Sequence, residues 1–149
     1  MSHLPPGSIV DDVVLPVEAG KIHEFARATA TRDVVHVDAA SAHAAGYPDV
    51  IAPLTYSVAT AHLRDQAGFV ARLGLDIRRI VMGGVSWEYR RPLHAGETLR
   101  AVRTVESDVW KDSRSGRMRL VGLVTEFTGG DGEVVLLQRE TLIERGAAS

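Results

Sequence analysis

The chain has 149 residues, 45% of them hydrophobic and 24% charged, a length and balance that suit one globular domain, residues 1–149, with its own core. It holds no cysteine, which excludes disulfides, thiolate zinc sites and Cys nucleophiles. Seventeen Lys and Arg against nineteen Asp and Glu give a net charge of −2, a poor match for nucleic acid or an anionic membrane, so neither partner is expected.

No apolar run approaches the roughly 18 residues that span a bilayer. The opening Met1-Ser-His-Leu-Pro-Pro-Gly7 lacks the basic flank and apolar stretch of a secretory signal, so a cytoplasmic location is expected. Residues 9–17, with Val13-Val-Leu-Pro-Val17, predict a first strand, and Pro16 marks its end or an edge. From Glu18 the period changes: Ile22, Phe25, Ala26 and Thr29 predict a helix over 18–29. Asp38 is a natural N-cap for a two-turn helix that Gly46 would close. After Pro53, the stripe Tyr56, Ala59, Leu63, Ala67 and Val70 predicts one long helix over 54–73. Val85, Trp87 and Tyr89, then Leu99, Ala101, Arg103 and Val105, alternate as two strands expected to form a hairpin across residues 92–96. Residues 118–127 and 133–144 predict two more, joined by a turn at Gly129-Gly-Asp-Gly132. No helix follows those glycines, so they are a hairpin turn and not a phosphate loop. Strand, helices, then antiparallel strands is an α+β order.

Without cysteine, acid–base chemistry must come from His, carboxylates, Lys, Tyr or hydroxyls. These are most concentrated in Thr29-Ala-Thr-Arg-Asp-Val-Val-His-Val-Asp38, between two predicted helices. Asp33 and His36 there could share a water, the carboxylate orienting it while the imidazole moves a proton. Spacing alone equally fits a capping or surface pair.

The segment Phe25-Ala-Arg-Ala-Thr-Ala-Thr-Arg-Asp-Val-Val-His-Val-Asp38 resembles the hydratase segment of MaoC-like proteins, F-A-x-x-[ST]-G-D-x-N-P-[IV]-H-x-D. Ala44-Ala-Gly-Tyr-Pro-Asp-Val-Ile-Ala-Pro-Leu-Thr-Tyr56 is similar to the G-[YF]-x-x-[VL]-x-A-P-x-T-F segment of the FAS1-like dehydratase branch, which includes actinobacterial 3-hydroxyacyl-ACP dehydratase subunits. Trp87-Glu-Tyr-Arg-Arg-Pro-Leu-His-Ala-Gly-Glu-Thr-Leu99 resembles the family's F-x-x-P-[VL]-x-x-G-[DE]-x-L strand and turn. The resemblance implies a single hotdog: an antiparallel sheet wrapped around one long central helix. It implies a homodimer, or a heterodimer with a catalytic MaoC-like subunit, acting on acyl thioesters of CoA or an acyl carrier protein. The family reaction is reversible hydration of an enoyl thioester, or the dehydration of a 3-hydroxyacyl thioester. No cofactor or metal is implied.

The departures from the pattern are chemical. Catalytic members place an Asp five positions before the His, and here that position is Thr31, with Ala30 where the pattern has Gly and Asp33 where it has Asn. Catalytic members carry A-H-G where this chain has Ala52-Pro53-Leu54. Pro53 has no amide hydrogen, whereas Leu54 could still polarise a thioester carbonyl. His36 and Asp33 are the candidate catalytic residues; Thr31, Tyr47, Ala52, Pro53, Leu54, Thr55 and Tyr56 are the candidate substrate-binding residues. Loss of the acid favours a partner subunit that shapes the acyl tunnel. A self-sufficient homodimer using His36 with Asp33, and a non-catalytic acyl-thioester binder, are the alternatives. His23, His43, His62 and His94 match no functional position, and Trp87 and Tyr89 are expected in the core or at a dimer contact. Arg78-Arg79 and Arg90-Arg91 could meet CoA phosphates or an acidic carrier protein, or lie solvated beside their strands.

Overall fold

The computed structural model describes residues 4–146, so the first three residues of the opening segment lie outside it. The elements are β1 (Ile9–Pro16), α1 (Ala19–Ala28), α2 (Ala39–Ala44), α3 (Gln66–Arg72), β2 (Ile80–Tyr89), β3 (Thr98–Ser113), β4 (Gly116–Thr128) and β5 (Val134–Glu144). Short 3₁₀ helices occupy Val34–His36, Tyr56–Leu63 and Ile77–Arg79. The strands form one antiparallel sheet in the order β1-β3-β4-β5-β2, the α+β architecture the sequence predicts. No helix among the described residues is long and apolar enough to cross a membrane.

Two expectations are corrected. β2 and β3 do not form a hairpin: β2 pairs only with β5, at the opposite side of the sheet from β3's partner β1. The 90–97 segment instead runs from one strand to the other, clamped by a two-pronged Arg91–Glu97 bridge at 2.9 and 3.0 Å. Glu97 also accepts the His94 amide at 2.9 Å. The second correction is the long helix over 54–73. It is a 3₁₀ helix to Leu63, an extended Arg64, and a new helix α3 capped by Asp65, whose carboxylate accepts the Gly68 amide at 2.9 Å.

Arg64 breaks the helix because it is needed inside. One rung across all five strands is polar or polar-ended: Asp11 pairs with Arg103, Arg103 with Thr125, Thr125 with Gln138, and Gln138 with Trp87. Arg64 comes down on this rung, its Nε 3.2 Å from Asp11 and its second amino group donating to Thr125 Oγ1 at 3.2 Å. Ser57, from the 3₁₀ helix, donates to Gln138 at 2.5 Å and accepts from Trp87 Nε1 at 2.9 Å. Arg103 bonds Asp11, lies 3.5 Å from Glu140 and stacks on Phe69 at 4.1 Å. Burial, then the neighbouring Arg103, hold the Arg64 pKa below its usual value, against the pull of Asp11 and Glu140. The rung divides the core in two. Leu15, Ile22, Tyr56, Leu99, Phe127 and Leu136 pack on one side; Val10, Phe69, Leu73, Val105, Leu123 and Leu142 pack on the other.

Two buried arginines share the Asp11 carboxylate, so removing it leaves both without their common anion. Asp11→Ala is therefore expected to cost about 3–5 kcal/mol of stability in denaturant unfolding. A loss under about 1 kcal/mol would show that the charges are hydrated and the rung is not a structural belt.

Candidate active site

The loop carrying the candidate residues is positioned by a helix ending that recurs three times. After α1, α2 and α3, the residue past the C-cap takes a positive φ: Ala30 (54°), Gly46 (92°) and Gly74 (65°). Each ending closes with the same two hydrogen bonds. The Ala30 amide donates to Arg27 and Thr31 to Ala26, Gly46 to His43 and Tyr47 to Ala42, Gly74 to Ala71 and Leu75 to Val70. This is the Schellman closure, which favours glycine at the left-handed residue. The chain keeps that backbone at residue 30 with alanine, and thereby aims Thr31 and Tyr47 from two helix ends toward one cleft.

That cleft, about 540 Å³, is lined by Thr31, Asp33, His36, Tyr47, Ala52, Pro53, Leu54 and Thr55 together with Val35, Ala45, Ile51, Tyr89 and Pro92. All but one of the candidates read from the sequence meet there. Tyr56 is the exception. It is 2% exposed and turned to the other side of its helix, edge-on to Phe25 at 5.5 Å, lining a separate cavity of about 430 Å³ with Leu15, Lys21 and Leu63. Burial, and then Glu18 and Glu24, push its phenol pKa up.

His36 is half-buried, and its Nδ1 lies 2.6 Å from the Ile51 carbonyl. A carbonyl only accepts, so Nδ1 carries the hydrogen and the neutral ring's lone pair is at Nε2. The Ile51 amide in turn donates to Val35 at 3.0 Å, and Ala52 donates to Leu93 at 2.8 Å. The histidine loop, the 50–52 segment and the 93–95 turn are thus stitched together at the floor of the cleft.

The neighbours are committed elsewhere. Thr29 Oγ1 gives its proton to the Phe25 carbonyl at 2.8 Å, so across the 2.8 Å contact with Thr31 it is Thr31 that donates. Its hydroxyl proton is turned away from His36, and an alcohol is no carboxylate base. Asp33 accepts the Val35 amide at 3.2 Å as cap of the Val34–His36 turn. It lines the same cleft as His36, but no hydrogen bond joins their side chains among the described residues. At the other wall, Pro53 is buried and Leu54 is 69% exposed. The Leu54 amide makes no hydrogen bond to another described residue.

Tyr89 packs against the core as the sequence led one to expect, and it also lines this cleft, a place the sequence reading did not assign it. Its hydroxyl donates to the Leu54 carbonyl at 2.6 Å and so holds the turn that presents the Leu54 amide. Burial pushes its pKa up to about 12, so the donor stays protonated at physiological pH. The signal was its place on the same strand face as Trp87, just before Pro92; both rings pack against the core, and Tyr89 alone of the two reaches the cleft. Three of the other histidines bond main-chain carbonyls, while His62 lines the cavity that holds Tyr56. His23 bonds the Val37 carbonyl at 2.9 Å, His43 that of Pro48 at 2.8 Å, and His94 that of Ala95 at 2.9 Å. The arginine pairs are neutralised locally: Arg78 by Asp76, Arg79 by Asp76 and Glu144, Arg90 by Glu88, and Arg91 by Glu97. No three His, Asp or Glu side chains among the described residues gather as metal donors.

With this geometry in place, comparison with known proteins is decisive for the family. Residues 6–138 match the family model described as FAS1-like, dehydratase domain region. The chain belongs to the FAS1-like dehydratase region family. It is 40% identical over 129 residues to a UPF0336 protein of Saccharopolyspora erythraea, covering 86% of this chain and 80% of that one. Among solved structures it is similar to a chain of the C-terminally truncated HadBC (3R-hydroxyacyl-ACP dehydratase) complex of Mycobacterium tuberculosis. That likeness has a TM-score of 0.73 and 27% identity, over 88% of this chain and 90% of the other. It also resembles a MaoC-like dehydratase, with a TM-score of 0.80 and 26% identity over 94% of this chain and 41% of that longer one. The fold is the MaoC-like hotdog, with its central helix broken at Arg64.

Two expectations follow. Ala30→Gly relieves a left-handed alanine, worth roughly 1–2 kcal/mol, against roughly 0.4–1 kcal/mol of unfolded-state entropy. A net gain of about 0.5–1 kcal/mol is expected in the denaturant midpoint, and a loss would refute the strain. Tyr89→Phe should cost about 1 kcal/mol at pH 7. A phenol pKa raised from 10.0 to about 12 in the folded state adds stability below pH 10 that drains away as pH rises to about 12. The stability of Tyr89→Phe should decline less than that of the natural chain over this window, and parallel declines would contradict the burial of that phenol.

Proposed function

We propose that this chain is one subunit of a 3-hydroxyacyl thioester dehydratase, or enoyl thioester hydratase, of the cytoplasm. In this reading it shapes the acyl tunnel while a MaoC-like partner supplies the catalytic Asp and His. The observation that carries it is the state of residue 31. The cleft, the His36 orientation and the glycine-type helix ending are all kept, yet the position of the water-activating acid is a threonine whose proton is given to Thr29. Hydration of an enoyl thioester needs a base for the attacking water and an acid for the α-carbon; His36 alone fills one role. The Leu54 amide is suited to hold a thioester carbonyl, and Thr31, Asp33, Tyr47, Ala52, Pro53 and Thr55 are read as contacts to the thioester end of the substrate. Tyr56, facing the second cavity, is read as a wall for the acyl chain.

A second reading is favoured by Asp33 and His36 lining one cleft: a homodimer in which Asp33 replaces the missing acid. Hydration of crotonyl-CoA and of a longer enoyl-CoA, followed by loss of enoyl absorbance, separates the two. The subunit reading expects no turnover by the purified chain, turnover on co-expression with a MaoC-like chain that carries the Asp and His, and little effect of His36→Ala in that complex. Thr31→Asp is expected to bring activity to the chain alone, by about 10²-fold over the natural sequence. Turnover by the chain alone, lost about 10²–10⁴-fold in His36→Ala, would overturn the subunit reading in favour of the second.

A further inference from the structure

Seven cations form no ion pair among the described residues, and whereas Arg27, Arg32, Arg72 and Arg145 are scattered, the other three stand within one seven-residue segment. Arg64, Arg78, Arg79, Arg90, Arg91, Arg100, Arg103, Arg119 and Arg139 all face carboxylates of their own chain. Lys111, Arg114 and Arg117 form no ion pair among the described residues, and every residue from 111 to 117 is exposed. Against these three cations the segment holds only Asp112.

The segment is the tip of a two-stranded ribbon. β3 and β4 pair as far as Ser113 and Gly116, whereas β1 leaves β3 at Thr104 and β5 begins on β4 at Arg119. The ribbon therefore projects past both neighbours, with Val109 and Trp110 45% and 46% exposed on it. Arg117 lies over the Trp110 ring at 4.9 Å. Its root is rigid: Arg119 grips Asp108 with two bonds of 2.9 and 2.7 Å and donates to the Gly74 carbonyl, tying the ribbon to the end of α3. Exposed tryptophan, stacked arginine and two further cations on a braced arm are the composition of a binding surface for an acidic protein.

We propose that this ribbon is the docking arm for an acidic acyl carrier protein. The identity of the cargo rests on the function proposed above. The arm stands roughly 26 Å along β4 from the cleft of its own chain, at about 3.3 Å per residue from Arg119 to Phe127. It nevertheless faces the right way for a heteromer. The β2 edge is unpaired within the chain. Antiparallel pairing of that edge with the corresponding edge of a partner runs the two sheets in opposite directions. The arm end of this chain then lies alongside the cleft end of the other, where the catalytic pair sits. The subunit without the acid thus brings the carrier to the subunit that has it.

The test is titration of the full chain with a purified holo-acyl carrier protein, followed by tryptophan fluorescence and by NMR shifts. Saturable binding is expected, with shifts confined to residues 109–118. It should weaken about tenfold or more in Lys111→Glu/Arg114→Glu/Arg117→Glu, and also when salt is raised from about 50 to about 300 mM. Trp110→Ala should weaken it too, and unchanged melting temperatures would show that these exposed changes leave the fold intact. Absence of binding, or binding untouched by the triple reversal, would overturn the proposal. So would equal binding of a single-stranded oligonucleotide, which would make the arm a general polyanion surface. Carrier binding without hydration by any MaoC-like complex would sink the proposed function and leave the arm standing. Turnover of enoyl-CoA with no arm-dependent carrier binding would do the reverse.

Discussion

The polar rung that crosses the sheet from Asp11 to Trp87 is the constraint on which the rest of the molecule is arranged. Two arginines and two carboxylates below the surface are tolerable only when each charge meets an opposite one. Meeting that condition takes Arg64 out of helical geometry and into the space beneath. The broken helix follows from it: a 3₁₀ segment that lets Ser57 reach Gln138, an extended residue 64, and a fresh start at Asp65. So does the division of the core. The half containing Tyr56, Leu99 and Phe127 supports the cleft; the half containing Phe69, Leu73 and Leu142 supports the root of the basic ribbon.

Around the cleft, the backbone sets the geometry without help from the side chain at residue 31. A left-handed residue after α1, a carbonyl from Ile51 under the imidazole and a hydroxyl from Tyr89 on the Leu54 carbonyl fix where each side chain points. Each of these ends on a main-chain group, and none involves the side chain of residue 31. The shape of this loop therefore does not depend on a carboxylate at residue 31.

The local elements were legible because their signals are local. The cap at Asp38, the glycine at Gly46, the alternation in β3 to β5 and the turn at Gly129 to Gly132 depend on neighbours within a few residues, and the motif resemblances alone group Thr31, His36, Tyr47 and residues 52–55. What depended on distant partners was not legible. Nothing near Arg64 in sequence announces Asp11 or Thr125, so its stripe reads as an unbroken helix. The spacing between β2 and β3 resembles a hairpin, because only the β5 pairing reveals that β2 belongs at the far edge. The places of Tyr56 and Tyr89 were hidden for the same reason: that one lines the second cavity and the other reaches the Leu54 carbonyl depends on residues far away in the chain.

The two borders of the sheet are unequal. β1 carries Asp11, Asp12 and the terminal Pro16, residues that discourage further strands from joining. β2, ten residues long, offers Ile-Val-Met-Gly-Gly-Val-Ser-Trp-Glu-Tyr with a single charge, beside exposed Ile77 and Met82. A border of that composition is a template for whatever extended chain it meets. If the proposed assembly forms along β2, its synthesis becomes a matter of stoichiometry: a chain left without a companion would keep an adhesive seam until that seam is closed.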